Sequence, residues 1–357
     1  MQTAIIGLPM VGKTSLFTIL TGVHQETRIG STAARAGVAR VPDARVEELA
    51  RVFEPSKVTH ATVEYVDMPS VSKESLRDPS YVASLRVVDA FAHVLRLFED
   101  ATIPHEKGSI DPLRDLEDVE MELVLSDLVV VEKRLERLEK DRKKIKSPEL
   151  DYEFEVLEKC KAALEQNHPL RQLEIGAEEE KRMRGFQFLS QKPMLYVLNL
   201  GESEAAELHE RERAYRQGSL AGRKNVSVAA VCGKIEAELA ELPAEEQREY
   251  LASYGLQESG LERLISATYS LLGLMSFLTA SETEVHAWTV PIHSTALKAA
   301  GAIHTDFEKK FIRAEVVNWK ALVDLGGYAG AREKGLLKLE GKEYIVKDGD
   351  VLVIRHG

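Results

Sequence analysis

The octapeptide Gly7-Leu8-Pro9-Met10-Val11-Gly12-Lys13-Thr14 constrains this chain more than any other stretch, because it satisfies G-x-x-x-x-G-K-[ST] in full. Its surroundings agree with it. Thr3-Ala4-Ile5-Ile6 is short and apolar, as a buried parallel strand is, and Ser15-Leu16-Phe17-Thr18-Ile19-Leu20 reads as a helix. Strand, loop and helix N-terminus together make a phosphate cradle, in which glycines let backbone N–H groups wrap the anion and the helix dipole favours it. In that frame the backbone from Met10 and Val11 through Gly12 to Ser15 lines the pocket, and Thr14 offers its hydroxyl to Mg²⁺. Lys13 reaches the β and γ phosphates, which makes it a catalytic as well as a binding candidate. A chance glycine-rich turn is the alternative, and the flanking pattern argues against it.

With 357 residues the chain has room for two or three domains, and 44% hydrophobic with 29% charged residues and 12 prolines is a globular composition. No stretch reaches membrane-spanning length, and the first strand begins at about Thr3, which leaves no room for a signal or transit peptide. A cytoplasmic protein with no membrane partner is therefore expected. Cys160 and Cys232 lie far apart without metal-type spacing and read as plain thiols. A net charge of −11 argues against indiscriminate nucleic-acid binding, so no DNA partner is expected, while a local basic patch stays open.

From Gln25 to Arg40 the chain is small and polar without an amphipathic period. It is either an ordinary connection or the switch segment whose hydroxyl, Ser31 or Thr32, closes over Mg²⁺. Val41-Pro42-Asp43 introduces an amphipathic helix, and Ala61 to Val66 alternates as a strand ending in Asp67, a carboxylate suited to holding Mg²⁺ through a water. Asp67-Met68-Pro69-Ser70 stands where phosphate-loop switch proteins place D-x-x-G, with Ser70 in the glycine's place, and Val71 follows where a water-orienting glutamine would stand. Ala90 to Phe98 is another buried strand, and the loop after it carries His105, either a catalytic or γ-phosphate-sensing group or an uninvolved surface histidine.

From about Asp115 the pattern turns helical. Met121, Val124, Leu128, Val131, Leu135 and Leu138 form an a/d seam, and a second helix bears Leu150, Phe154, Leu157 and Leu164, so an antiparallel hairpin is expected. Its tip carries Lys140, Arg142, Lys143, Lys144 and Lys146, either a solvated turn or a patch for a phosphate backbone. Pro193 to Asn199 returns to a parallel strand, which makes the hairpin an insertion. Asn199-Leu200-Gly201-Glu202 reads N-x-x-E where guanine-specific proteins have N-K-x-D; the longer carboxylate and the missing lysine weaken guanine selectivity and admit adenine. Val226 to Val231 is the next strand, and Cys232-Gly233-Lys234 occupies the base-capping position. After about Ala280 short alternating segments begin a small β-grasp module with a terminal hairpin turning at Asp348-Gly349. Residues 281–357 hold 11 Lys/Arg and 11 Asp/Glu, a balance that favours neither RNA nor protein.

These segments resemble the YchF family of Obg-related nucleotide hydrolases over essentially the whole chain. The likeness rests on Gly7 to Thr14, on Gly108-Ser109-Ile110-Asp111-Pro112, on Val130 to Lys140, on Lys234 to Leu239, on Leu339 to Asp350, and most strongly on Ala302 to Glu315. The resemblance implies an α/β fold: a P-loop G domain over residues 1–115 and 186–280, an inserted helical coiled coil over 116–185, and a C-terminal TGS module over 281–357. It implies ATP in preference to GTP through Asn199 and Glu202, with Cys232 beside the base and Mg²⁺ as cofactor. It implies a hydrolytic role for His105 in place of the missing glutamine, Ser31 as the Mg²⁺-binding hydroxyl with Thr32 as the alternative, and the ribosome, RNA and protein both, as partner; the oligomeric state is left open, with a monomer favoured. The chain departs from the family at Met10, where asparagine is usual, at Ser70, and in a shortened Val71 to Pro79 segment. The expectation is secure nucleotide binding with slow or lost hydrolysis.

Overall fold

The structure, a computed structural model, describes residues 1–23 and 34–357. They fall into two compact units, 1–37 with 64–267 and 38–63 with 268–357. The expected Mg²⁺ hydroxyls Ser31 and Thr32 lie outside the described residues.

In chain order the strands are β1 (Gln2–Ile6), β2 (Arg35–Arg40), β3 (Lys57–Thr59), β4 (Thr62–Asp67), β5 (Ala90–Arg96), β6 (Met194–Asn199) and β7 (Val226–Val231). They continue as β8 (Leu274–Ala280), β9 (Glu284–Pro291), β10 (Phe311–Asn318), β11 (Lys338–Glu340) and β12 (Asp350–His356). The first sheet runs β2-β4-β1-β5-β6-β7, and β4, β1, β5, β6 and β7 are parallel. Every residue of β5 and β6 is buried, as a parallel sheet covered on both faces requires. Strand order reverses at β1, and in such sheets the crevice beyond the carboxyl ends at the reversal takes the ligand. Register pairs Ile5 with Asp67, Arg96 with Asn199 and Asn199 with Val231, so the phosphate loop, Asp67, Asn199 and Cys232 all emerge along that edge.

The helices used below are α1 (Lys13–Thr21), α2 (Ala44–Phe53), α3 (Pro79–Val87), α4 (Pro112–Arg142) and α5 (Pro148–Glu165). α4 starts where the Asp111 side chain accepts from the Arg114 N–H at 3.1 Å and Pro112 presets the first turn, and α5 starts at Ser147-Pro148. The two pack as a hairpin around Val124, Val131, Leu135, Leu138, Leu157, Cys160 and Leu164. The expected seam needs one correction: Met121 is 37% exposed, while Leu116, Val119, Glu120, Leu123 and Asp127 are buried. The root of α4 covers the sheet rather than α5, so its inner face carries partnered polar groups. Asp127 accepts from the N–H groups of Leu189 (2.9 Å) and Ser190 (2.7 Å) and from the Ser190 hydroxyl, and Glu120 accepts from Tyr196 and pairs with Arg171. At the tip Arg142 is tied to Asp151 and lies over the Phe154 ring, leaving Lys140, Lys143, Lys144 and Lys146 exposed.

The second unit is built on a mixed sheet, β11-β10-β12-β8-β9-β3, over the helix Ala296–Ile303, with Phe277, Val290, Ala299, Ala314, Val316 and Leu352 in its core. Two expectations change here. The unit begins before Ala280, because β8 belongs to it, and it includes α2 and β3 from residues 38–63. Among the described residues the expected terminal hairpin does not form: the turn at Asp348-Gly349 (Gly349 φ +81°) leads into β12, whose ladder partners are β10 and β8. Asp348 is held instead by Arg45 at 2.8 Å and by the Ser276 N–H at 3.0 Å, partners a local turn pattern does not reveal. Among the described residues no helix is long and apolar enough to cross a membrane.

Candidate nucleotide site

The loop after β1 is shaped by backbone that only certain residues tolerate. Gly7 (φ +144°) would bring a Cβ to 2.7 Å from the Val94 carbonyl, and Gly12 (φ +98°) would bring one to 2.6 Å from Asn199 Nδ2. Met10 also takes a positive φ of 59° and stands 58% exposed at the loop crest. Gly12 caps α1 with no side chain, so the first N–H groups of that helix face the cleft unencumbered.

Lys13 folds back along the loop. Its ammonium donates to the Leu8 carbonyl at 2.6 Å and to the Ser70 hydroxyl at 3.0 Å. Burial pushes its pKa down to about 8, against the opposing pull of Asp67 and Glu106. The Thr14 hydroxyl donates to Asp67 Oδ2 at 2.9 Å. Burial raises the Asp67 pKa, partly offset by that hydrogen bond and by the charges of Lys13 and Arg35. The second Asp67 oxygen is buried with no hydrogen-bond partner. Segment 68–71 is pinned to the loop: the Met68 N–H donates to the Ile5 carbonyl and the Val71 N–H to the Gly7 carbonyl, while the Tyr81 hydroxyl of α3 donates to the Pro69 carbonyl.

Across the cleft, Asn199 bridges two loops, donating from Nδ2 to the Val11 carbonyl at 3.0 Å and accepting at Oδ1 from the Gly233 N–H at 3.1 Å. Cys232 is buried beside it, with burial raising its thiol pKa. Glu202 pairs with Lys234 and accepts at Oε1 from the Tyr254 hydroxyl at 2.9 Å, and these partners hold its carboxyl below the usual range. Leu97, Phe98, Ile103 and Leu200 supply apolar lining, and the cleft of about 1290 Å³ runs continuously from Lys13, Thr14 and Ser70 to Asn199, Glu202 and Lys234. Its apolar side is fixed by buried Arg96, whose guanidinium lies 4.5 Å over Phe98 and donates to the carbonyls of Phe98 and Ile103.

The structure thus brings Met10, Gly12, Lys13, Thr14, Ser15, Asn199 and Glu202 to one cleft, with Val11 and Cys232 buried just behind it and Asp67 behind Thr14. His105 is not among the lining residues. The Lys107 N–H donates to its Nδ1 at 3.1 Å, which leaves the proton on Nε2 to be donated to Asp115 at 2.9 Å, so both ring nitrogens are engaged at the foot of α4. Sequence reasoning missed Arg96 and Tyr254; neither belongs to a motif, Arg96 acting through the backbone of the loop that follows it and Tyr254 through Glu202, which lies far back in the chain.

The family model YchF-GTPase_C, described as a protein of unknown function (DUF933), matches residues 274–357. A Bacillus subtilis protein named "Ribosome-binding ATPase YchF" is 40% identical over 99% of this chain and 99% of its own length. This chain belongs to the YchF family. An Escherichia coli O157:H7 protein of the same name is 38% identical over 98% of both chains. The solved structure of the Schizosaccharomyces pombe YchF GTPase, 27% identical, superposes with a TM-score of 0.84 over 99% of this chain and 97% of that one. Membership accounts for the fold and for a phosphate loop at this edge of the sheet.

Proposed function

We propose that this chain is an ATP-binding P-loop switch protein, with GTP as the lesser ligand, that hydrolyses nucleotide slowly and acts on the ribosome. The observation that carries the reading is the linked set around one cleft: Lys13 on Ser70, Thr14 on Asp67, and Asn199 tying the phosphate loop to the base loop. Relatives named ribosome-binding ATPases, matched over 98–99% of their length, support the ribosome as partner.

The chemistry follows from these contacts. Loop N–H groups and Lys13 would grip the phosphates, and to do so Lys13 exchanges the Ser70 hydroxyl for a phosphate oxygen. That exchange loosens segment 68–71 from the loop, which makes nucleotide binding a conformational signal. Thr14 and Asp67 fit a divalent ion: one carboxylate oxygen orients the Thr14 hydroxyl while the other is buried and unpartnered. Mg²⁺ bound there would neutralise charge on the phosphoryl oxygens. Among the described residues no group of three His, Cys, Asp or Glu forms a metal site by itself, so such an ion would share its ligands with the nucleotide.

Water activation is the weak step. Val71 is apolar and 2% exposed, and His105 is committed to Asp115 and Lys107, so turnover waits on rearrangement of the His105 loop. That engagement also favours the second reading, a scaffold that binds nucleotide and partners without hydrolysis. In either case the protein is cytoplasmic, the hairpin and the C-terminal module are its partner-facing parts, and its contacts are to ribosomal RNA and protein rather than DNA. Phosphate release by the full chain, alone and with ribosomes, separates the two. Turnover that vanishes in Lys13→Ala excludes the scaffold, and bound ATP without phosphate release under either condition excludes the hydrolytic switch.

A further inference from the structure

Glu202 sits where the cleft would meet the base, and its carboxylate is already spoken for. Oε2 faces the Lys234 ammonium and Oε1 accepts from the Tyr254 hydroxyl at 2.9 Å. A guanine would bring two more donors, its N1–H and its amino group, to a carboxylate whose charge is matched by an ammonium and whose rotation is fixed by a phenol. Adenine presents no such pair of donors and does not need this carboxylate. Tyr254 itself follows the helix Ala244–Ser253 and does not line the cleft; its ring packs against Tyr250 at 5.3 Å, and the Tyr250 hydroxyl is bonded in turn to Glu238. The hydroxyl is thus delivered to Glu202 from a braced support outside the binding surface.

We propose that Tyr254 is a positioning residue for base choice: by holding Glu202 against Lys234 it withholds from guanine the acceptor that N-x-x-E would otherwise offer. The proposal rests on the reading of Glu202 as the base-facing carboxylate. Removing the phenol oxygen frees one carboxylate oxygen and lets the side chain rotate. GTP then gains an acceptor, and ATP gains nothing.

Competition of ATP and of GTP against a bound fluorescent nucleotide, on the full chain, tests this with Tyr254→Phe, Glu202→Gln and the double variant. Tyr254→Phe should raise GTP affinity by roughly threefold or more with ATP unchanged, and the gain should disappear when Glu202→Gln is already present. A fall in both affinities in parallel would make Tyr254 merely structural and overturn the proposal. A shifted ATP-to-GTP ratio in Glu202→Gln but not in Tyr254→Phe overturns the role of Tyr254 and leaves Glu202 standing. No shift in either variant overturns the reading of Glu202 itself. Because Tyr254→Phe keeps the ring that packs on Tyr250, an unmoved ratio in a variant whose circular dichroism matches the parent refutes the proposal equally.

Discussion

At the phosphate end of the cleft Lys13 is 8% exposed and meets the Leu8 carbonyl of its own loop and the Ser70 hydroxyl, whereas at the base end Glu202 keeps 37% of its side chain in solvent and is held by Lys234 and Tyr254. The first arrangement works by desolvation: an ammonium taken out of water, with few competing partners, gains much from a phosphate. The second, on the proposed reading, would work by occupancy, since a solvated carboxylate discriminates only if its acceptors are already taken. Grip and selectivity are therefore separable, and they should fail separately.

The largest expected effect breaks the grip. Lys13→Ala should cost about 2–4 kcal/mol of ATP affinity, on the order of thirty- to a thousandfold, and weaken GTP equally. Equilibrium dialysis reads this, and a change in the base ratio would tie the two ends together against the account. Asp67→Asn should reduce affinity in the presence of Mg²⁺ by roughly five- to thirtyfold while leaving metal-free binding almost untouched; an equal loss with EDTA would remove Asp67 from the metal site.

The pH dependence sharpens the same contrast. Phosphate binding needs the charged form of Lys13, whose pKa in the free protein lies at about 8 rather than 10.5. ATP affinity should accordingly fall as pH rises through 8, approaching tenfold per unit at most, until the complex itself deprotonates. Asp67 acts from the other side: its raised pKa means that its carboxylate is lost on acidification sooner than a free aspartate's would be, and Mg²⁺-dependent affinity should fall with it. Titration calorimetry from neutral pH to 9.5 reads the alkaline limb, the acid limb being followed separately on acidification with Mg²⁺ present, and a flat alkaline limb contradicts the burial assigned to Lys13. The smallest effect is expected far from the cleft. Replacing Lys140, Lys143, Lys144 and Lys146 by Glu should weaken ribosome co-sedimentation severalfold at low salt with no change in nucleotide affinity; unchanged co-sedimentation would clear the hairpin tip of any role.

The same contrast explains what could be read from the sequence. Gly7 to Thr14 and Asn199 to Glu202 are legible because each motif is contiguous and follows an apolar strand, although the partners of Asn199 and Glu202 come from elsewhere in the chain. The engagement of His105 is invisible because Asp115 belongs to the next helix, and nothing in a loop pattern says which way the ring turns. Met121 does not join the seam because α4 changes neighbours along its length: near its root it meets the sheet through Glu120 and the segment before β6 through Asp127, which a hydrophobic repeat does not count. Residues 38–63 could not be assigned from pattern because an amphipathic helix such as α2 shows that it has a buried face but not which core receives it. The missing terminal hairpin has the same cause, since Asp348 takes its partners from Arg45 and Ser276.

The measurement that bears most directly on the account is competition of ATP and GTP for the cleft of the full chain with Mg²⁺ present. ATP should displace a bound fluorescent nucleotide at least as well as GTP does, because Glu202 is held by Lys234 and Tyr254. GTP winning by tenfold or more would contradict it.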